Sequence, residues 1–84
     1  MPGHFVYLVR CADGTLYTGY TTDVARRLAV HNSGKGAKYT RSRLPVELVA
    51  QWEYPTKGEA LSAEYRIRRL RPAAKLALAP DAAP

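Results

Sequence analysis

Tyr7, Tyr17, Arg27 and His31 all fall inside one stretch, VYLVRCADGTLYTGYTTDVARRLAVH, which runs from Val6 to His31. Two phenols, a guanidinium and an imidazole make a set able to handle a phosphate, provided they converge on one face. The guanidinium is planar, permanently charged and matched to phosphate oxygens. A free phenol has a pKa of about 10, so ionising it at neutral pH costs about 4 kcal/mol. A tyrosine acting as a base therefore needs a cationic neighbour or a proton acceptor, and His31, Arg27 or Lys38 can serve. A fifth group, the carboxylate of Glu64, comes much later in the chain.

The elements that must position these groups follow from the hydropathy pattern. Residues 5–11 (FVYLVRC) form an apolar run rich in aromatic and β-branched residues, which predicts a strand buried on both faces. Residues 15–20 (TLYTGY) predict a second strand, joined through Ala12-Asp13-Gly14, and Asp-Gly between such runs signals a hairpin. The loop length then decides where the phenols point. A two-residue loop, Asp13-Gly14, pairs Ala12 with Thr15 and sends Tyr7 and Tyr17 to opposite faces. A three-residue loop, with Gly14 left-handed in a G1 bulge, pairs Cys11 with Thr15. It sets Val9 opposite Tyr17 and Tyr7 opposite Gly19, so both phenols share a face. The three-residue loop is the expected one. Gly19 beside Tyr7 then leaves room for a backbone or a phosphate to approach.

A helix is predicted from Thr22-Asp23, either of which can cap free N–H groups, to just before Ser33-Gly34. Its wheel buries Val24, Ala25, Leu28 and Ala29 and turns Arg26 to solvent. Arg27 and His31 stack on the stripe's margin, where they edge a groove. Residues 33–43 (SGKGAKYTRSR) read as a loop in which Lys35, Lys38, Arg41 and Arg43 can track phosphates and Tyr39 can stack or hydrogen-bond. The ordinary reading of that loop is a solvated, mobile segment.

Residues 46–54 (VELVAQWEY) predict a third strand at a sheet edge. Val46, Leu48, Ala50, Trp52 and Tyr54 alternate with a wet face of Glu47, Gln51 and Glu53. Thr56-Lys57-Gly58-Glu59 matches a capping box. The helix it opens, over 57–70, buries Ala60, Ala63, Ile67 and Leu70, with Glu64 beside that stripe. Pro72 starts a short third helix that Pro80 stops, and residues 80–84 read as a disordered tail. No internal repeat or second domain is visible, so residues 1–79 form one domain.

Composition narrows the partners. The 84 residues carry 13 Lys and Arg against 7 Asp and Glu, a net charge of +6. Such an excess on a short chain points to a polyanion, nucleic acid before an anionic membrane. A chain of this size buries only roughly 60–65% of its unfolded surface, which favours an open groove over a deep cavity. The lone cysteine, Cys11, excludes an internal disulfide and allows a reducing compartment. No apolar run reaches the roughly 20 residues of a membrane span, and the opening MPGHFVYLVR lacks the order of a signal peptide. The expected location is cytoplasmic, and nucleoid-associated when bound to DNA.

The ordered set VYL, YTG ten residues on, an Arg ten beyond Tyr17, a His four further and a later Glu resembles the GIY-YIG nuclease superfamily. Within it, the chain is similar to short stand-alone bacterial members. The segments LYTGYTTDVARRLAVHNSGKGAKYTRSRLP and EALSAEYRIRRL carry the likeness, which spans residues 5 to about 78. Under that resemblance Tyr7 ends the first motif, Tyr17 opens the second and Gly19 closes it. Arg27 takes the place of the catalytic arginine, Glu64 that of the metal-binding glutamate, and His31 that of a histidine found in some relatives. The implied fold is α+β, a small three-stranded antiparallel sheet flanked by helices, with the site on one sheet face.

The implied activity is an endonuclease that hydrolyses phosphodiester bonds of DNA with Mg²⁺ or Mn²⁺, in repair or processing. Hydrolysis needs a deprotonated water, a counter-charge for the phosphate and help for the departing 3′ oxygen. One Mg²⁺ held by Glu64 and waters suits the last task. Either tyrosine can activate the water under the resemblance. Tyr17 is the expected base, with Tyr7 hydrogen-bonding the phosphate or the water. The chain departs from the pattern in three places. Phe5-Val6-Tyr7 lacks the first motif's glycine, Tyr20 stands where some relatives have lysine, and no asparagine follows Glu64.

Each residue also has an ordinary reading. The tyrosines can be core strand aromatics. Arg27 can pair with Asp23, and Glu64 with Arg68. His31 can cap a helix dipole. Two other functions stay open beside the nuclease: a non-catalytic nucleic-acid-binding module of the same fold, and a small scaffold for another protein. Relatives usually take their target choice from an attached domain, so an unknown protein partner is expected to supply it here.

Overall fold

In the computed structural model, which describes residues 3–78, three strands form one antiparallel sheet in the order β2-β1-β3. Strand β1 (His4–Arg10) lies in the centre, between β2 (Leu16–Thr21) and β3 (Glu47–Tyr54). Its Val6, Tyr7, Leu8 and Val9 are all buried, as a run apolar on both faces requires. Helix α1 (Val24–Asn32) leads to the four-residue α2 (Lys38–Arg41). After β3 come α3 (Lys57–Arg68) and the short α4 (Pro72–Leu76).

The hairpin adopts the three-residue loop. Cys11 N–H donates to Thr15 O at 2.8 Å, Gly14 N–H donates to Cys11 O at 2.9 Å, and Gly14 has φ 85°. Tyr7 pairs with Gly19 and Val9 with Tyr17, so the two phenols share a face. Asp13 reinforces the turn by accepting from both Thr15 N–H and Thr15 Oγ1.

The sheet separates two apolar clusters. Val6 and Leu8 pack with Ala50, Trp52 and Tyr54 against Ala60, Ala63 and Ile67 of α3. Tyr7, Val9, Cys11 and Val46 form the other cluster, against Val24 and Leu28 of α1. Strand β3 contributes to both, which its simple alternation did not predict. Leu8 pairs with Ala50 but Val9 with Leu48, so Val49 is an extra residue, a β-bulge that switches the strand's inward face partway along. Leu48 consequently packs with the α1 cluster instead of with Ala50 and Trp52.

The caps follow the sequence closely. Asp23 Oδ1 accepts from Arg26 N–H at 3.1 Å, and Ser33 caps the C-terminus of α1, followed by Gly34 at φ 84°. Thr56 Oγ1 accepts from Glu59 N–H at 3.2 Å and donates to Glu59 Oε2 at 3.0 Å. Three expectations need correction. Ala25 and Ala29 are exposed, because α1 is rotated to bury His31, with Val24 and Leu28 half-buried beside it, and small alanines resist that rotation little. Leu70 is exposed, since α3 ends at Arg68 and the chain turns away. The loop over 33–43 contains the α2 turn, which four residues are too few to signal by periodicity. The tail expected over 80–84 lies outside the described residues, as does the Pro80 stop.

Two glycines test the packing. At Gly19 a Cβ would collide with the Tyr7 ring and hydroxyl, whereas at Gly58, in the first turn of α3, it would meet open space. Gly19→Ala should cost about 1–3 kcal/mol as an overpacked site. Gly58→Ala should gain about 0.5–1 kcal/mol of helix propensity. Urea unfolding of the two variants checks both signs.

Candidate active site

The site is built on β1, the hairpin and α1. Tyr7 is 1% exposed and His31 0%. Their side chains meet, with Tyr7 Oη and His31 Nε2 2.8 Å apart. The other imidazole nitrogen, Nδ1, lies 2.8 Å from Thr40 Oγ1, and Thr40 Oγ1 donates to Ala37 O at 2.9 Å. This chain has one consistent set of protons. Since the Thr40 hydroxyl gives its hydrogen to the carbonyl, it must accept from His31 Nδ1–H. Nε2 is then the bare nitrogen, and Tyr7 O–H donates to it.

Two pKa shifts agree with that assignment. Burial, and after it the Arg27 charge, pull His31 below its ordinary value of 6.5 and keep the ring neutral. Burial is also the largest influence on Tyr7 and raises its phenol, against the opposing pull of the nearby Arg27 guanidinium. The charge of Glu64 acts on the same phenol in the raising direction, so α3 brings its carboxylate within electrostatic reach of Tyr7.

Tyr17 is half-buried beside this pair. Its ring lies 6.4 Å from Tyr7 and 5.4 Å from His31, and it stacks on Tyr39 at 6.0 Å. Tyr7, Tyr17 and His31 are thus in ring contact on one sheet face, and the charges of Arg27 and Glu64 act on the Tyr7 phenol. Arg27 is not drawn off by Asp23, whose side chain caps the helix instead. Glu64 does face Arg68 four residues on, at a loose 3.8 Å.

Other expectations change. His31 was to edge a groove, but it is wholly buried, because an imidazole with hydrogen bonds on both nitrogens can leave water without loss. The room beside Gly19 is filled by the Tyr7 ring, so it is not open to a phosphate. Tyr39 is 40% exposed, yet one ring face lies on Tyr17 and Arg43 sits over the ring at 4.0 Å, which leaves its edge and hydroxyl for a ligand. Arg43 is not a free phosphate clamp. Its Nε pairs with Asp13 Oδ2 at 3.0 Å and its guanidinium donates to Tyr39 O at 2.6 Å, fastening the 33–43 segment to the hairpin. Lys35, Lys38 and Arg41 are exposed.

Three residues of the site escaped the sequence reading. Thr40 is 0% exposed and sets the histidine tautomer. Gly36 lets the segment close over His31, with which a Cβ would collide. Asn32 clasps the residue preceding β3 to α1, accepting from Val46 N–H at 2.7 Å and donating to Val46 O at 3.2 Å. Only the two glycines flanking Lys35 gave any signal of the close approach.

Among the described residues no group of three or more His, Cys, Asp and Glu could hold a metal ion. A zinc-like site is therefore not available there. A single carboxylate suits a hydrated Mg²⁺, which keeps several waters, and Glu64 fits that limited role.

Two phenols, a guanidinium, an imidazole and a carboxylate are side chains of the types that chemistry on a phosphate uses. The profile of the GIY-YIG catalytic domain matches residues 3–76, and the chain belongs to that nuclease family. It is 58% identical to a UPF0213 protein of Halalkalibacterium halodurans over 80% of this chain and 71% of the relative. It is 57% identical to a UPF0213 protein of Halobacterium salinarum, over 89% and 97%. The solution NMR structure of the Bacillus halodurans UPF0213 protein superposes with a TM-score of 0.55 at 55% identity, over 87% of this chain and 78% of that one. An E. faecalis protein solved by NMR gives 0.62 at 41% identity, over 90% and 81%. No described helix is long and apolar enough to cross a membrane.

The hydrogen-bond chain makes two checkable statements. Thr40→Val, which strands His31 Nδ1–H, should cost about 1–3 kcal/mol in urea unfolding, and Thr40→Ser should restore most of it. His31 titrates lower when folded than when unfolded, so the unfolded chain binds more protons as pH falls below 6.5. Stability from this group is therefore present above pH 6.5 and lost as pH drops through the folded value. Thermal midpoints measured from neutral to acidic pH should show that loss.

Proposed function

We propose that the protein is an endonuclease that hydrolyses phosphodiester bonds of DNA in repair or processing, and that Tyr7 is the base. The single observation that supports this reading is the 2.8 Å contact from Tyr7 Oη to His31 Nε2. A phenol can take a proton from water at neutral pH only if its own proton has somewhere to go, and Tyr7 has that acceptor. This reverses the roles expected for the two tyrosines.

In the proposed step, water gives a proton to Tyr7 Oη while Tyr7 passes its own to His31 Nε2. The water oxygen bonds to phosphorus, the bond from phosphorus to the 3′ oxygen breaks, and that oxygen takes a proton from solvent. Arg27 offsets the charge that builds on the phosphate. Tyr17, at the open side, hydrogen-bonds the phosphate or the water. Glu64 would hold a Mg²⁺ or Mn²⁺, whose chemistry there is to neutralise the departing oxygen. Lys35, Lys38 and Arg41 supply exposed positive charge for the strand, and a separate protein partner supplies target choice.

Nicking of supercoiled plasmid in Mg²⁺ tests the reading. Tyr7→Phe should slow it by about 10²–10⁴-fold and Arg27→Ala by about 10²–10³-fold. Glu64→Ala should remove the metal dependence. The acid limb of the rate profile should fall below pH 6.5, because the folded histidine stays neutral to lower pH than free imidazole. Equal rates in all three variants would sink the proposal, and salt-sensitive binding without any metal-dependent nicking would leave a binding module.

A further inference from the structure

A cavity opens next to the site, with Tyr17 in its wall. It measures about 200 Å³ and is lined by Leu16, Tyr17, Thr18, Tyr39, Arg68 and Lys75. Thr18 pairs with Leu8 across the hairpin, so it stands on the α3 face, whereas Tyr17 opposite Val9 stands on the α1 face. The cavity therefore wraps round the free edge of β2.

Its lining is incomplete in a specific way. Thr18 is 2% exposed and its Oγ1 has no hydrogen-bond partner, the one such buried side-chain atom among the described residues. Buried hydroxyls in native proteins nearly always find a partner. Two cations share the cavity with it and no carboxylate lines it. Lys75 is held below its ordinary value by burial and then by the Arg68 charge, so the two repel each other. Arg68 is paired only loosely, with Glu64 at 3.8 Å. A hydroxyl lacking an acceptor, a Lys75 unpaired among the described residues and a loosely paired Arg68 call for the same ligand. The space exceeds the roughly 30 Å³ share of one water, which leaves room for a phosphate group.

We propose that this cavity is a phosphate subsite, held by Thr18 Oγ1, Arg68 and Lys75, that seats a phosphate of the bound nucleic-acid strand flanking the one at Tyr7. The strand assignment rests on the nuclease reading, since Tyr17 is the wall common to the cavity and the Tyr7–His31 pair.

The test is binding of a short fluorescein-labelled oligonucleotide to the full chain in EDTA, read by anisotropy against salt. Thr18→Val and Lys75→Gln should each weaken binding about tenfold, the scale of one charge-assisted hydrogen bond. Lys75→Gln should also reduce the salt slope by about one, while Thr18→Val, which removes no charge, should leave it unchanged. Thr18→Val removes a stranded hydroxyl and should raise the thermal midpoint, so weaker binding cannot be laid to misfolding. Wild-type affinity in both variants overturns the subsite. Inorganic phosphate is the second probe, followed by NMR shifts at Leu16–Thr18 and Lys75. If it fills the cavity while both variants bind the oligonucleotide normally, the cavity serves a free phosphate and the strand placement fails. No cleavage takes place in EDTA, so absence of nuclease activity leaves this result standing, and loss of the subsite leaves metal-dependent nicking standing.

Discussion

One buried hydrogen bond, from Tyr7 to His31, ties the structure together. It joins the central strand to α1, and through Thr40 it reaches α2 and the carbonyl of Ala37. Every polar atom along that path has a partner, which lets a small domain keep a phenol and an imidazole in its interior. The same bond explains the rotation of α1, whose alanines stay outside so that His31 can go in. It also explains Gly36 and Gly19, which lie against the histidine and the phenol at positions where a Cβ does not fit. Position and protonation are set together. A ring fixed on both nitrogens has one tautomer, and a buried ring beside Arg27 stays neutral.

The free edge of β2 is the second constraint. Strand order β2-β1-β3 leaves β2 paired on one side only, and the chain brings groups to that edge from both sheet faces. Tyr7, Tyr17 and Arg27 come from the α1 side, while Glu64, Arg68 and Lys75 come from the helices that follow β3. This arrangement sorts the basic residues by role. Arg43 is committed to Asp13 and the Tyr39 carbonyl, Arg69 donates to Tyr65 Oη at 2.9 Å, and Arg66 donates to Ser62 at 2.8 Å. Net charge alone draws no such distinction.

Much of this was legible in the residues. The hairpin follows from Ala12-Asp13-Gly14, and of the two loops that Gly14 permits the expected three-residue one forms, which fixes the faces of Tyr7 and Tyr17. The capping residues Asp23 and Thr56 were readable for the same reason, since a cap is local chemistry. What escaped depends on contacts distant in sequence. The bulge at Val49 is invisible to a period-two reading because Leu48 and Ala50 are equally apolar. The place of His31 depends on a phenol 24 residues away, and that of Thr40 on the histidine. Leu70 was assigned to a helix that ends two residues earlier.

Thr40 and Thr18 are both buried threonines, and the contrast between them separates stability from binding. The Thr40 hydroxyl accepts one hydrogen and donates one, so its burial costs little and the network gains a fixed geometry. The Thr18 hydroxyl does neither, and a stranded buried group costs about 1–3 kcal/mol. Against the roughly 5–15 kcal/mol that holds a domain folded, that is a substantial fraction. Valine has nearly the shape of threonine and would fill the same space without the penalty. Beside Lys75 and the loosely paired Arg68, at the edge where the phenols gather, a residue that folding alone would replace is accounted for by the proposed subsite, in which a phosphate oxygen accepts from it.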